Sequence, residues 1–225
     1  MLYVFVCTEG QSSELGYIKA LINKHKGQVP LAKSALMEVI PLSLDGNQGH
    51  TRLFDKANQK ITSHMLGLYG VNDYLQPNDK EEKWLICDYD NMDKNRITMD
   101  SLQKEAIMSG YKIIINKPNF EYFTLLNFLE PSKVINIKTK DFISEINKQV
   151  KIVNERNKIR FPNTDCYVIP KYNKKIYCSN LFFDRMLSFA PLANKIFTDS
   201  DTIIDSENRF SEMGKIINQV KKLYS

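Results

Sequence analysis

Two short hydrophobic runs in this sequence end directly in acidic residues. Leu2–Thr8 is followed by Glu9, and Trp84–Cys87 is followed by Asp88 and, two positions on, Asp90. Carboxylates held close together repel one another unless a cation lies between them. Oxygen ligands without histidine or thiolate select Mg²⁺ or Mn²⁺ over Zn²⁺, and such ions activate water for attack on a phosphodiester. The three carboxylates therefore predict a Mg²⁺ or Mn²⁺ site.

The carboxylates depend on strands for their placement. Short apolar runs rich in aromatic and β-branched residues are typical of buried strands in a parallel sheet, and open α/β sheets bind ligands at the carboxyl ends of such strands. Asp88 and Asp90 are two residues apart, so both side chains can point to one side of a strand end. A polar cap between strand and loop is the alternative interpretation of these two aspartates considered alone.

Strands and helices alternate along most of the chain, which predicts an α/β protein with an open, mostly parallel sheet and helices on both faces. After the two runs above, the pattern predicts strands at 37–44, 111–116 and 134–137, and helices at 16–24, 52–66, 98–109, 120–129, 141–159 and 211–224. From residue 161 onward most elements are short. We therefore predict a catalytic domain over residues 1–140 and a basic, helical or mixed C-terminal extension over residues 141–225.

The composition excludes several classes of protein. With 43% hydrophobic and 25% charged residues the chain has an ordinary globular composition, and no apolar stretch approaches the ~20 residues of a membrane span. The first residues have neither a basic segment nor a cleavage site, which favours a cytoplasmic protein without membrane association. The four cysteines and three histidines are scattered, which favours reduced thiols over a zinc site or disulfides.

Basic residues concentrate in one segment of the chain. Residues 151–185 contain eight lysines and arginines against three acidic residues. A basic segment beside an acidic centre suits metal-dependent chemistry on a polyanion, and aromatic side chains between the bases can stack on nucleobases. The residues predicted to bind nucleic acid are Arg160, Lys171, Lys174, Lys175 and Tyr172. A solvated charged surface, with the tyrosines packed on the core, is the alternative.

The acidic motifs resemble those of a known superfamily. Thr8-Glu9-Gly10 after a first strand and Asp88-Tyr89-Asp90 after a later one are similar to the two signature motifs of Toprim domains. Within that superfamily the chain resembles RloB-like (abortive-infection) proteins. Their first motif, Glu-Gly-x-x-Thr-Glu, stands here as Glu9-Gly10-Gln11-Ser12-Ser13-Glu14.

A second family segment also has a counterpart. Ser-Asn-Pro-x-Phe-Glu-x-Trp-x-x-x-His-Phe stands here as residues 116–128, beginning Asn116-Lys117-Pro118-Asn119-Phe120-Glu121. The tryptophan and the histidine of the family segment are replaced by Phe123 and Asn127. Order and spacing agree with the family over residues 4–128, a little over half of the chain.

The resemblance implies a metal-dependent nuclease of prokaryotic antiviral defence, often encoded beside an ATPase partner. It implies metal binding and acid–base work for Glu9, metal binding for Asp88 and Asp90, and a catalytic position for Glu121. We also predict that Lys117 contacts the scissile phosphate. The alternative is that this lysine is simply solvated. The supporting residues of the predicted site are Gly10, Glu14 and Asn116.

Two functions from different classes follow. The first is cleavage of nucleic-acid phosphodiesters with Mg²⁺ or Mn²⁺, RNA and especially tRNA being favoured over DNA by analogy with toxic defence effectors. The second is a non-catalytic Toprim-like scaffold that binds an ATPase partner or a nucleotide ligand as a sensor. A primase-like polymerase is a weaker third reading, since no separate nucleotide-binding module is evident. The oligomeric state stays open, with a homo-oligomer among the alternatives.

Overall fold

One sheet organises the described part of the chain. The computed structural model describes residues 1–10, 12–27, 37–44, 53–69, 78–89, 98–162, 165–173, 176–193, 195 and 200–225. Its strands are β1 (Leu2–Thr8), β2 (Met37–Ser43), β3 (Lys80–Asp88), β4 (Tyr111–Lys117), β5 (Ile203–Ile204) and β6 (Phe210–Ser211). The strand order is β2-β1-β3-β4-β6-β5, with β1 to β4 parallel and β6 antiparallel to both of its neighbours.

Helices cover both faces of this sheet. They are α1 (Ser13–Lys26), α2 (Leu53–Tyr69), α3 (Met99–Met108), α4 (Phe120–Leu126), α5 (Pro131–Val134), α6 (Phe142–Arg160), α7 (Ile176–Phe189) and α8 (Met213–Leu223). The predicted α/β class, with a mostly parallel sheet and helices on both faces, is confirmed. Within the described ranges, no helix combines the length and the apolar character that crossing a membrane requires.

Local sequence explains where several elements begin and end. β1 is buried over almost its whole length, as a central strand covered on both faces must be. β2 lies at the edge of the sheet. Pro41 has no backbone N–H to donate, and an edge strand tolerates this because only one of its sides is paired. Thr98 caps α3 by accepting a hydrogen bond from the Ser101 backbone N–H at 3.1 Å. Gly110, with φ of 74°, ends the turn after α3 in the left-handed region that favours glycine.

Two hydrophobic cores lie on opposite faces of the sheet. One face packs Val6, Ile86 and Ile114 against α1, α4, α6, α7 and α8, and the other packs Phe5 and Leu85 against α2 and α3. Alternate residues of a strand point to opposite faces. Asp88, the last residue of β3, and Asn116, the penultimate residue of β4, therefore direct their side chains toward the α1 and α4 face, because Ile86 and Ile114 lie two positions before them.

One predicted strand is wrong. Residues 134–137 were expected to form a fifth strand, but Val134 ends the short helix α5 and the Ile137 backbone N–H donates to the Val134 carbonyl at 2.9 Å. Pro131 explains the difference, since proline at the first helical turn has a φ that suits a helix and needs no hydrogen bond there. The apolar run 134–137 is therefore a helix end followed by a turn.

The C-terminal half shares the core of the N-terminal half. Helix α7 and the β5–β6 hairpin were not predicted, and both contribute to the same structure: Phe183 of α7 packs on Tyr17 of α1 with ring centroids 5.8 Å apart, and β6 extends the sheet beside β4. A single hydrophobic core contains residues from α1, α4, α6, α7 and α8. The predicted boundary after residue 140 therefore does not separate two cores.

Candidate functional site

The first acidic turn is held in place by its neighbours in the sheet. The Glu9 backbone N–H donates to the Ile86 carbonyl at 3.0 Å, which ties the turn to β3. The Gly10 carbonyl accepts hydrogen bonds from the hydroxyls of Thr8 at 2.9 Å and Ser43 at 3.4 Å. Thr8 is fully buried. The backbone of Glu9, at the carboxyl end of β1, is therefore held in a defined position between β2 and β3.

Gly10 makes room for the Glu14 carboxylate. A Cβ atom added at Gly10 would lie 2.0 Å from Glu14 Oε2, far inside van der Waals contact. Glu14, in the first turn of α1, is only 8% exposed, so its carboxylate is folded back over the turn that carries Glu9. The sequence predicted supporting roles for Gly10 and Glu14. The structure brings the two residues together, and the glycine is needed here for space.

We expect Gly10→Ala to displace the Glu14 carboxylate with little loss of global stability. The clashing atoms are the far end of a flexible side chain, so relief by rotation costs at most about 1 kcal/mol. Any activity or metal affinity that depends on Glu14 should fall about tenfold or more, and Glu14→Gln should then add little to the effect of Gly10→Ala. Thermal unfolding and Mn²⁺ titration of the single and double variants measure both effects.

Gly67→Ala is the matched control, since a Cβ atom at this helical glycine meets nothing within 4 Å. It should stabilise α2 by about 0.5–1 kcal/mol and leave metal binding unchanged. Equal losses of metal affinity in Gly10→Ala and Gly67→Ala would contradict a specific role for the Gly10 cradle.

The second acidic turn lies beside the end of β4. Asp88 is aligned with Asn116 in the parallel register, and the Tyr89 backbone N–H donates to the Asn116 carbonyl at 2.9 Å. The Asn116 side chain is fully buried, and its Oδ1 accepts a hydrogen bond from Ser211 Oγ at 2.7 Å. Lys117 Nζ lies 5.0 Å from the centroid of the Tyr89 ring. The structure thus brings Lys117 and Asn116 to the turn that follows Asp88.

Glu121 belongs to a buried hydrogen-bonded chain. Tyr172 OH donates to Glu121 Oε1 at 3.0 Å and also makes a 2.9 Å hydrogen bond with Ser13 Oγ. Burial and the neighbouring Glu121 carboxylate raise the pKa of Tyr172 well above its usual value, so this phenol stays protonated and can donate. The chain joins α1, α4 and the segment before α7 at the same end of the sheet.

The assignment of Tyr172 to nucleobase stacking is corrected by this geometry. The Tyr172 side chain is 1% exposed, and its ring packs on Phe182 with centroids 4.9 Å apart. A ring buried in this way has no free face for a base. Tyr167 and Tyr172, the tyrosines of this segment whose side chains the structure describes, are both buried in the core, which was the alternative interpretation.

Glu212 is an acidic residue that the sequence analysis missed. It is 8% exposed and lies between β6 and α8. Its Oε2 accepts a hydrogen bond from the Ile115 backbone N–H at 3.0 Å, while its own N–H donates to the Ile115 carbonyl at 3.1 Å. It also forms an ion pair with Lys215. No motif marks Glu212, because its partner on β4 is nearly a hundred positions away along the chain.

The electrostatics of Cys87 show that several carboxylates share this end of the sheet. Burial raises the pKa of the Cys87 thiol well above its usual value, and four nearby carboxylates raise it further. They belong to Glu9, Asp88, Glu212 and Glu14. Cys87 and Cys7 are both buried and form no disulfide. The Cys87 thiol, which belongs to the core on the α2 and α3 face, is therefore neutral.

The described residues alone do not complete a metal-binding set. No group of three or more His, Cys, Asp or Glu side chains within the described ranges has an arrangement that could hold a metal ion. Asp90, the third predicted ligand, lies outside the described residues, as do Lys174 and Lys175. The carboxylates of Glu9, Asp88 and Glu14 have the donor chemistry that Mg²⁺ and Mn²⁺ prefer.

Two of the predicted nucleic-acid contacts lie on the surface. Arg160, at the end of α6, is exposed, and its guanidinium carbon lies 5.2 Å from the centroid of the Phe161 ring. Lys171 is exposed one residue before the buried Tyr172. Both side chains are accessible to a polyanion.

The fold and the site define an α/β protein with an acidic centre at the carboxyl ends of adjacent parallel strands. The model of the RloB-like protein family matches residues 4–220, and the chain belongs to this family. The match extends well past residue 128, where the motif resemblance ended, and it includes α6, α7 and the β5–β6 hairpin. No curated protein and no solved structure matches the chain.

Proposed function

We propose that this chain is a divalent-metal-dependent nuclease of the Toprim type that acts as the effector of a prokaryotic antiviral, abortive-infection system. The observation that carries the proposal is that Glu9, Glu14 and Asp88 lie at the same end of the sheet: the Glu14 carboxylate lies over the Gly10 turn, and all three carboxylates raise the pKa of Cys87. Like charges gathered in this way destabilise a protein unless a cation compensates them. A binding site for a hard cation therefore accounts for the cluster.

The proposal gives each residue of the predicted site a role. When bound, Mg²⁺ or Mn²⁺ would supply activation of water and neutralisation of charge on the phosphate. Asp88 and Asp90 would provide ligand oxygens, and Glu9 would provide a further oxygen or accept a proton from the attacking water. Lys117, held near the Asp88 turn by Tyr89, would bind a non-bridging oxygen of the scissile phosphate. Glu121 would hold α4 in place at the site through its hydrogen bond with Tyr172.

The substrate is proposed to be a nucleic acid, with RNA and especially tRNA favoured over DNA. The exposed Arg160 and Lys171 would contact phosphates, and Lys174 and Lys175 follow in the same basic segment. The preference for RNA rests on the analogy with other toxic defence effectors. An ATPase partner that controls the nuclease is part of the same proposal.

The experiment that tests the function is a cleavage assay on three substrates. Total tRNA, single-stranded RNA and plasmid DNA are incubated with the purified chain in Mg²⁺, in Mn²⁺ or in EDTA. We expect cleavage of RNA that requires the metal and is lost in Glu9→Gln. Glu105→Gln is the matched control because Glu105 is exposed on α3, on the opposite face of the sheet. It should cleave at the wild-type rate, so that loss of cleavage in Glu9→Gln, purified in the same way, excludes a contaminating nuclease.

The non-catalytic scaffold is the alternative that the same samples can identify. Binding of Mn²⁺ without cleavage of any substrate would indicate an enzyme held inactive until a partner acts on it. Absence of both cleavage and metal-dependent stabilisation would contradict the nuclease and favour a scaffold that binds an ATPase or a nucleotide. Thermal unfolding with and without Mn²⁺ separates these two results.

A further inference from the structure

A pair of asparagines on α6 holds an extended segment of the chain along the helix. Asn154 Nδ2 donates to the Ile169 carbonyl and its Oδ1 accepts from the Ile169 N–H, both at 2.8 Å. Asn147 makes the same two hydrogen bonds with the backbone of Tyr172, at 3.1 and 2.7 Å. The two asparagines are seven residues apart, about 10.5 Å along a helix, and three extended residues cover about 10 Å. The two spacings match, so the segment runs alongside α6.

A groove of about 490 Å³ lies between α6 and this segment. Its floor is apolar: Val168 is partly exposed there, and the buried Val150 and Ile169 lie beside it. Its rim carries three exposed lysines, Lys151, Lys158 and Lys171. Lys151 and Lys158 each lie one helical turn beyond one of the two asparagines, so they repeat at the same spacing of about 10.5 Å along one side of the groove.

We propose that this groove binds an acidic amphipathic helix of a protein partner, with apolar side chains on the floor and acidic side chains seven residues apart against Lys151 and Lys158. The inference does not rest on the proposed nuclease activity. Charge complementarity identifies the partner: a basic rim around an apolar floor matches a helix with an apolar stripe flanked by carboxylates.

The hydrogen bonds of the groove wall favour a helix over an added strand. A strand that binds a backbone edge needs unpaired N–H and C=O groups. In this wall the N–H and C=O groups of Ile169 and Tyr172 are already paired with asparagine side chains. A helix satisfies its own backbone hydrogen bonds and needs only side-chain contacts, so it fits a wall of this kind.

Two features disfavour a nucleic-acid strand in the groove. Glu155 lies on the rim between Lys151 and Lys158, so a continuous row of phosphates would meet a carboxylate there. Tyr167, the aromatic residue of the groove lining, is buried, and its ring stacks on Phe161 with centroids 6.3 Å apart. It therefore offers no stacking platform for a base. A helix of mixed charge tolerates Glu155, because a neutral or basic residue can face it.

The test uses a designed peptide and variants of the full chain. The probe is a fluorescein-labelled helical peptide of about 15 residues with leucines on one face and flanking glutamates seven residues apart. A scrambled peptide of the same composition is its control. We expect fluorescence anisotropy to show binding of the probe alone, and binding about tenfold weaker in Lys151→Glu/Lys158→Glu. Lys133→Glu/Lys140→Glu, with the same change of net charge at exposed sites outside the groove, should bind as wild type.

Val168→Ser tests the floor of the groove separately. It should also weaken binding of the probe, since it removes apolar contact without changing the charge. Failure of the probe to bind, or equal binding of the scrambled peptide, would overturn the proposal. The proposal would also be overturned if single-stranded RNA displaced the probe and no longer bound to Lys151→Glu/Lys158→Glu, because the groove would then be a polyanion site. Self-association that depends on these two lysines would equally overturn it, by making a second copy the occupant.

Discussion

Asp88→Asn is expected to abolish metal-dependent cleavage while leaving the protein at least as stable as wild type. The substitution keeps the shape of the side chain at the end of β3 and removes one charge. Loss of a metal ligand removes several kcal/mol of transition-state stabilisation, which corresponds to a rate reduced at least about a hundredfold. Removal of the Asp88 charge also removes its repulsion of the nearby carboxylates of Glu9, Glu14 and Glu212.

Thermal unfolding gives this prediction a second readout of opposite sign. Without metal, Asp88→Asn should unfold at the same temperature as wild type or at a higher one. With Mn²⁺, the wild type should gain stability and Asp88→Asn should not, since only a ligand that binds the native state raises its stability. The two measurements together separate a lost ligand from a damaged fold.

Asp100→Asn is the control for Asp88→Asn. Asp100 is exposed in the first turn of α3, so its replacement should change neither cleavage nor the Mn²⁺ effect. Wild-type cleavage by Asp88→Asn would contradict the role of Asp88 as a ligand. A drop in the metal-free unfolding temperature would contradict the idea that the carboxylates repel one another in the unloaded site.

Arg209→Met is expected to destabilise the protein by about 3–5 kcal/mol, because it breaks a buried ion pair and leaves its partners uncompensated. Arg209 is 7% exposed, and its Nε donates to Asp205 Oδ2 at 2.8 Å. The other guanidinium nitrogens donate to the carbonyls of Ile137 at 2.9 Å and Val134 at 3.1 Å. The guanidinium carbon also lies 5.5 Å from the ring centroid of Tyr122. One side chain thus fastens the β5–β6 hairpin to α4 and α5.

Urea unfolding measures this effect, and a double variant identifies its cause. Arg209→Met/Asp205→Asn should recover part of the lost stability, since the buried carboxylate no longer lacks its cation. Arg156→Met, at an exposed position of α6, should change the free energy of unfolding by less than about 0.5 kcal/mol. A loss below about 1 kcal/mol for Arg209→Met would show that the hairpin is held by other contacts.

Arg209 and its partners, called here the Arg209 cluster, affect the cooperativity of unfolding. Asp205 and Arg209 come from the C-terminal region, and Val134, Ile137 and Tyr122 come from the region predicted as a separate domain. Because the two regions share this cluster and one hydrophobic core, we expect a single cooperative unfolding transition.

The sequence by itself determined the strands that carry the site. The runs before Glu9 and Asp88 are apolar at almost every position, a pattern typical of strands covered on both faces of a sheet. The helix predicted over residues 98–109 also follows from local sequence. Thr98 is a start signal and Gly110 is a stop signal, and the effect of neither depends on distant residues. Pro131 is also a local helix-start signal, but the apolar run at residues 134–137 has the composition of a strand, and the composition alone predicts the wrong element.

Tertiary structure decided which residues surround the acidic turns. Gly10 and Glu14 are close in sequence, so a local motif could indicate them, although not the contact between the Gly10 Cα and the Glu14 carboxylate. Glu212 reaches the site by pairing with Ile115, and Tyr172 reaches it through hydrogen bonds to Ser13 and Glu121. Contacts between residues this far apart depend on how helices and strands pack, and periodicity along the chain carries no information about them.

The role of two asparagines on the surface of α6 also depends on tertiary structure. Asn147 and Asn154 read in sequence as polar positions of an amphipathic helix, which is how isolated asparagines on a helix usually behave. Their role as paired hydrogen-bond partners of Tyr172 and Ile169 exists only because the chain turns back along α6. The sequence determined the local elements and the acidic chemistry through short-range physics, whereas the groove, the Arg209 cluster and the environment of Tyr172 arise from long-range packing.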